Sequence, residues 1–234
     1  MVNFQNEWQI WGADGLPFLA DSYDESMRLW KVQKPLMEKK LAEQGLMILY
    51  AVPWPPQGVY SKKPLASAAD LKGIKLRMPG TKEWLFLGQA LGATATPLAF
   101  GEVYLGLKTG TIDAQDNPLP TVRAAKFHEV TRQLVLTGHL VDGLFLVVSN
   151  KVWKSLTPAQ QQRMRQAAQA AARYNNDNRL KEESQLVDYF RQQGLQIQTP
   201  DVAAFRAAVQ QAYMQSDYAK VWPSGLLDRI NAVR

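Results

Sequence analysis

In the stretch GIKLRMP, the apolar residues Ile74, Leu76 and Met78 alternate with Lys75 and Arg77. Strict alternation is the signature of a β-strand with one buried face, so Arg77 is expected to project from the other face. Pro79 and Gly80 follow directly and end the strand. Thr81 then caps a helix predicted to run to about Leu91, with Gly92 just past its end. Arg77 is thereby placed at the carboxyl end of a strand, beside a helix N-terminus. In open α/β sheets ligands bind at such ends, where unpaired N–H groups suit anions. The pattern repeats downstream. Ala95 to Leu98 reads as a short extended piece and Gly101 to Lys108 as a helix closed by Gly110. Thr111 to Gln115 reads as a strand ending at a second polar cluster, Asp116, Asn117 and Pro118.

The remaining chain alternates in the same way. Asp21 or Ser22 can cap a helix reaching about Glu43, kinked or divided at Pro35, and Gly45 precedes a strand from Leu46 to Val52. Trp54, Pro55, Pro56, Gln57 and Gly58 are expected to form a crossing or loop rather than a central strand. Val59 to Lys62 reads as a strand, Ala66 to Leu71 as a short helical turn, Leu119 to Phe127 as a helix, and Gln133 to Thr137 as a strand. Gly143 to Ser149 is apolar enough to predict a central strand. A short helix follows from Asn150 through Leu156. Thr157 with Pro158 is a cap followed by proline at the first helical position, and no glycine or proline recurs until Gly194. The predicted helix is long enough to span more than one small domain. Leu195 to Gln198 is a strand, Thr199 to Asp201 starts another helix, and the tail from Pro223 reads as helical.

Composition narrows what such an α/β chain does. With 234 residues it can bury a sizeable core as one large or two small domains. No apolar run reaches the length that spans a bilayer. Zero cysteines remove disulfides, thiol catalysis and cysteine metal sites. The start, MVNFQNEWQIWGADG, lacks the basic and apolar regions of a secretory signal. A net charge of +6 favours anionic partners. The lysines and arginines are scattered among acids, without the aromatic interleaving of a phosphate-tracking surface, so no nucleic-acid partner is expected. His128 and His139 are the two histidines, and no GxSxG, P-loop or HExxH motif is present. Glu102, Asp113 and Asp116 cluster in sequence, yet nothing supplies the partner that acid–base chemistry needs. The chain is not expected to be an enzyme, and no cofactor or metal is implied.

LKGIKLRMPG, then LGATATPLAFGEVYLGLKTGTIDAQDNP, then KFHEV, resembles the solute-binding proteins of TRAP transporters, the DctP-type family. The resemblance runs from about Leu16 to the C-terminus. It implies a periplasmic-binding-protein-like, class II type α/β fold of two lobes joined by a long bridging helix, here with the N-terminal lobe truncated. Residues 1–54 would form a partial first lobe and 55–142 the second. Residues 143–182 would return to the first lobe and include the bridging helix, and 183–234 would pack on the second lobe and hinge. The implied role is that of an extracytoplasmic receptor, periplasmic despite the absent signal. It binds a small organic acid and delivers it to the small and large integral membrane subunits of a TRAP transporter. A sensory module that binds an organic acid without transport is the alternative.

The resemblance also implies the site. Arg77 would clamp the ligand carboxylate, a task for which a rigid, permanently charged guanidinium fork is suited. Asn117 would donate to the same carboxylate; the bland reading is a turn residue before proline. Phe100 matches an aromatic that closes over the ligand, against a role in ordinary core. Asp116 and His139 match a polar cluster behind the site. Gln57 stands where sialic-acid binders of the family carry a second arginine, which argues against sialic acid. Trp54 and Trp84 are candidates for apolar walls, Trp84 equally for core. One arginine and several aromatics together lead to the expectation of a monocarboxylate.

Overall fold

The computed structural model describes residues 28, 34, 35, 37–39, 41–53, 56–140 and 143–220. The kink expected near Pro35, the contribution of Trp54 and the helical tail from Pro223 lie outside what these residues can show.

Two sheets organise the chain. A helical segment ends at residue 43, and Gly45, at φ +72°, turns the backbone into β1 (Leu46–Pro53). That strand pairs antiparallel with β7 (Gly143–Ser149). Met37, Leu41 and Ile48 pack there with Leu46, Phe145 and Val147. β7 was expected to be central, but among the described residues it pairs only with β1 and leaves Leu146 exposed.

The second sheet has six strands in the order β4-β3-β5-β2-β6-β8. They are β2 (Gln57–Ser61), β3 (Lys75–Met78), β4 (Thr94–Pro97), β5 (Ala114–Pro118), β6 (Gln133–Val135) and β8 (Gln196–Gln198). β2 is antiparallel to both of its neighbours, β5 and β6, and the other pairings are parallel. The helices are α1 (Lys82–Ala90), α2 (Val103–Thr109), α3 (Leu119–Ala124), α4 (Asn150–Ser155), α5 (Pro158–Gln192), α6 (Val202–Met214) and α7 (Asp217–Lys220). Apart from α4, which packs on β7, they cover both faces of this sheet. Leu76, Met78, Val59 and Val135 pack on one side with Leu87 of α1 and with Phe205, Val209 and Tyr213 of α6. Tyr60 and Leu134 pack on the other with Val103 and Leu107 of α2, Val122 of α3, and Leu186 and Phe190 of α5.

This second covering corrects the reading of β3 as a strand with one buried face. Both faces are covered, and Arg77 is only 5% exposed. Two boundaries also shift. Gln57 and Gly58 are the first residues of β2 rather than a loop, because pairing with β5 on one side satisfies their backbone. A glycine fits there because an added Cβ would lie 2.8 Å from Leu134 Cδ1 and 3.2 Å from the Val135 carbonyl oxygen. β5 starts at Ala114 and carries Asp116 and Asn117 inside the strand instead of beyond it.

The long helix forms as its composition predicts. Thr157 Oγ1 accepts a hydrogen bond from the N–H of Gln160, whose side-chain Oε1 in turn accepts from the N–H of Thr157, and Pro158 opens the first turn. Over 35 residues α5 passes from β1, where Arg165 approaches Met47 Sδ at 3.7 Å, to the larger sheet, where Phe190 meets Tyr60 edge-on at 5.7 Å.

Candidate functional site

β3, β4, β5 and β6 run parallel, so their carboxyl ends lie along one edge of the large sheet. From β3 the chain passes through α1 to β4 on one side. From β5 it passes through α3 to β6 on the other side, beyond β2. The strand order reverses between β3 and β5, and the connections that leave these two strands diverge. Open α/β sheets bind ligands in the crevice at such a topological switch point. Arg77 and Asn117 sit at the ends of these two strands.

Arg77 and Gln115 are cross-strand partners, so Arg77, Gln115 and Asn117 share one face by the alternation of strand side chains. Arg77 Nε donates to the carbonyl oxygen of Leu98 at 2.8 Å, just past β4. This is its one hydrogen bond among the described residues, so the Nη end of the fork is uncommitted. Burial lowers the Arg77 pKa, and the nearby charge of Asp116 opposes that fall. The group stays a cation across the working pH range, since an arginine starts far above it. Its Cζ lies 6.0 Å from the centre of the Phe100 ring. Phe100 is 47% exposed while its ring packs at 5.5 Å against Phe127. It is therefore an exposed aromatic beside the arginine rather than part of the core.

Behind the arginine stands a chain of buried polar groups. His139 Nε2 and Asp116 Oδ2 are 3.3 Å apart, and His139 Nδ1 lies 2.6 Å from Thr137 Oγ1. Thr137 also donates to the backbone oxygen of Gln57 at 3.3 Å. Asp116 and His139 are both almost fully buried, which suits groups that hold a cation in place rather than meet solvent. Gln57 is buried opposite Pro118 at the same end of the sheet. Trp84 is half-buried and packs against the core that contains Leu76 and Met78. Trp54 lies outside the described residues.

Three participants were not anticipated. The Leu98 carbonyl and Thr137 carry no sequence signal that separates them from their neighbours. Gln115 carried none either, because alternation only sets it on the face opposite Ala114, and it is the covering of that face in the assembled sheet that buries it together with Arg77. It is fully buried, and its Oε1 accepts from Asn117 Nδ2 at 2.6 Å. Among the described residues no group of three or more histidine, cysteine, aspartate and glutamate side chains could hold a metal ion, and no helix is long and apolar enough to cross a membrane.

Comparison with known proteins gives this geometry a context. Over 207 residues the chain is 32% identical to the sialic acid-binding periplasmic protein SiaP of Vibrio cholerae, covering 86% of this chain and 64% of that protein. A solved TRAP periplasmic solute binding protein from Roseobacter denitrificans, with bound 3-deoxy-D-manno-oct-2-ulosonic acid, superposes with a TM-score of 0.92 at 39% identity. It covers 99% of this chain and 78% of its own. An extracytoplasmic solute receptor from Bordetella pertussis binding pyroglutamic acid superposes with a TM-score of 0.87 at 30% identity, covering 99% and 77%. The chain thus spans somewhat less than two thirds of the length of SiaP and about three quarters of the solved receptors. Its neighbours share the two-lobed α/β fold with a long helix. The match to the bacterial extracellular solute-binding proteins of family 7, the DctP family, extends over residues 1–220, and the chain belongs to that family.

Proposed function

We propose that this chain captures a small organic acid by its carboxylate in the crevice beyond β3 and β5 and hands it to the membrane subunits of a TRAP transporter, from a periplasmic location. The observation that carries this reading is Arg77. A guanidinium 5% exposed, with Nε anchored on Leu98 and an acid behind it, keeps its Nη end for an anion. Two parallel N–H groups at that end match the two oxygens of a carboxylate. Asn117 adds an amide on the same face, and Phe100 adds an apolar lid. Arg77 and its neighbours bind the acid without altering it.

We further propose that the ligand is a monocarboxylate. Gln57 offers no second positive charge, and Phe100 lines the mouth. The acids held by the Roseobacter and Bordetella receptors each carry one carboxylate, which supports the reading. A second ionised end in this crevice would lack a cation. The lobe boundaries proposed are residues 1–54 and 143–182, including the bridging helix, for the first lobe and 55–142 for the second, with 183–234 packed on the second lobe and hinge. The test is calorimetric titration with 3-deoxy-D-manno-oct-2-ulosonic acid, pyroglutamate and a dicarboxylate of matched size. Binding of a monocarboxylate with weaker binding of the dicarboxylate is expected. Preference for the dicarboxylate would overturn the selectivity, and chemical conversion of a recovered ligand would overturn the binding-only role.

A further inference from the structure

We infer that Gln115 is a positioning residue that sets which way the amide of Asn117 faces the ligand. The inference rests on the proposed carboxylate site and deepens it. Gln115 is fully buried in the middle strand of the crevice, with Arg77 as its ladder partner on one side and Tyr60 on the other. A buried glutamine is a costly residue to place in a strand unless its amide is used. Its Oε1 accepts from Asn117 Nδ2 at 2.6 Å, a short contact that requires a donor on one side and an acceptor on the other.

The consequence falls on Asn117. Its side chain is half-buried at the end of β5, and a terminal amide can rotate to present either N–H or C=O. Binding one Nδ2 proton to Gln115 removes that freedom, because the flipped amide would bring two oxygens together. The second Nδ2 proton is left as a donor on the face that also carries the Arg77 fork. Meanwhile Gln115 Oε1 is engaged by this bond, and its Nε2 has no partner among the described residues. The Arg77–Gln115–Asn117 layer therefore sets the second Nδ2 proton of Asn117 beside the arginine fork. Donors side by side on one face suit a carboxylate, which accepts at both of its oxygens. Arg77 supplies the charge, and Gln115 supplies the polarity of its neighbour.

The experiment has two arms. In the ligand-free chain, side-chain amide signals are followed by nitrogen-15 NMR. One Asn117 Nδ2 proton is expected to be shifted downfield and slow to exchange, lost in Gln115→Met and kept in Gln115→Glu, which retains an acceptor. An unchanged Asn117 signal in Gln115→Met, or a downfield proton on Gln115 in place of Asn117, would overturn the inference. If Gln115→Met does not fold, Gln115→Asn, one methylene too short to reach, replaces it with the same expectation. In the second arm, 3-deoxy-D-manno-oct-2-ulosonic acid and pyroglutamate are titrated into Gln115→Met, Asn117→Ala and the double variant. Each single change is expected to weaken binding about tenfold, the scale of one hydrogen bond, with the double variant no weaker than Asn117→Ala. Equal losses from Gln115→Met in both backgrounds would mean that Gln115 acts without Asn117. If neither acid binds the unmutated chain, the proposed function fails on these ligands, while the amide signals still decide the role of Gln115.

Discussion

Replacing Arg77 by alanine acts on folding and on binding through different atoms, and the two effects can be separated. In the free protein the change strips the Leu98 carbonyl of its 2.8 Å donor and leaves Asp116 without the cation whose field it feels. A buried acceptor left without its partner costs about 1 to 3 kcal/mol. A drop of a few degrees in Tm per kcal/mol is expected for a chain of this size. In the complex the ligand carboxylate loses the Nη pair. Truncating one partner of a buried charge pair costs about 2 to 5 kcal/mol, which corresponds to a weakening of roughly thirty-fold to several thousand-fold. Arg77→Lys separates charge from geometry. Lysine keeps one positive point but cannot hold Leu98 and grip two oxygens at once, so its affinity should fall between the two. The assay is calorimetric titration at neutral pH of variants first shown to be folded by their thermal transitions. Unchanged affinity in folded Arg77→Ala would refute the site. Full recovery in Arg77→Lys would refute the claim that fork geometry matters.

Other consequences follow from the scaffold. Burial pushes the Asp113 carboxyl up, but the N–H of Lys75 at 3.0 Å, the ammonium of Lys63 at 3.0 Å and the charge of Lys75 outweigh it and hold the group below its ordinary value. A depressed acid stabilises the fold fully above its unfolded pKa of about 4, and that contribution is lost as pH falls through the lower folded value. Asp113→Asn should therefore flatten the acid limb of the stability curve, measured by urea unfolding between about pH 2 and 6, and an unaltered slope would refute the assignment. Thr157→Ala removes the cap of the long helix and should cost about 1 kcal/mol, read from the urea midpoint. Gly58→Ala forces a methyl against Leu134 and the Val135 carbonyl and should cost about 1 to 3 kcal/mol. Because Gly58 pairs with Asn117, the same change should also weaken acid binding, and intact affinity at reduced Tm would show that strain at Gly58 does not reach Asn117.

Much of the local structure was legible because it is written in neighbouring residues. Thr157 and Pro158 start the long helix, Gly110 at φ +81° ends α2, and the alternation in GIKLRMP makes β3, all through contacts a few positions apart. The motif around Arg77 and Asn117 likewise stood out before any coordinates, since it combines strand ends with charge and turn residues in a recurring order. What the linear pattern did not decide was which neighbours each strand would have. β3 is covered on both faces because α2, α3 and α5 arrive from positions far along the chain, and that burial turns Arg77 from a surface cation into a desolvated one. Gln57 is strand rather than loop because β5 pairs with it from one side, and β7 pairs with β1 across nearly a hundred residues. The Leu98 carbonyl became the anchor of the arginine, and Gln115 the partner of Asn117, only through the register of β3 with β4 and β5. Register is a property of the assembled sheet. Each strand's own residues fix which side chains share a face, and only the packed sheet fixes which of them meet.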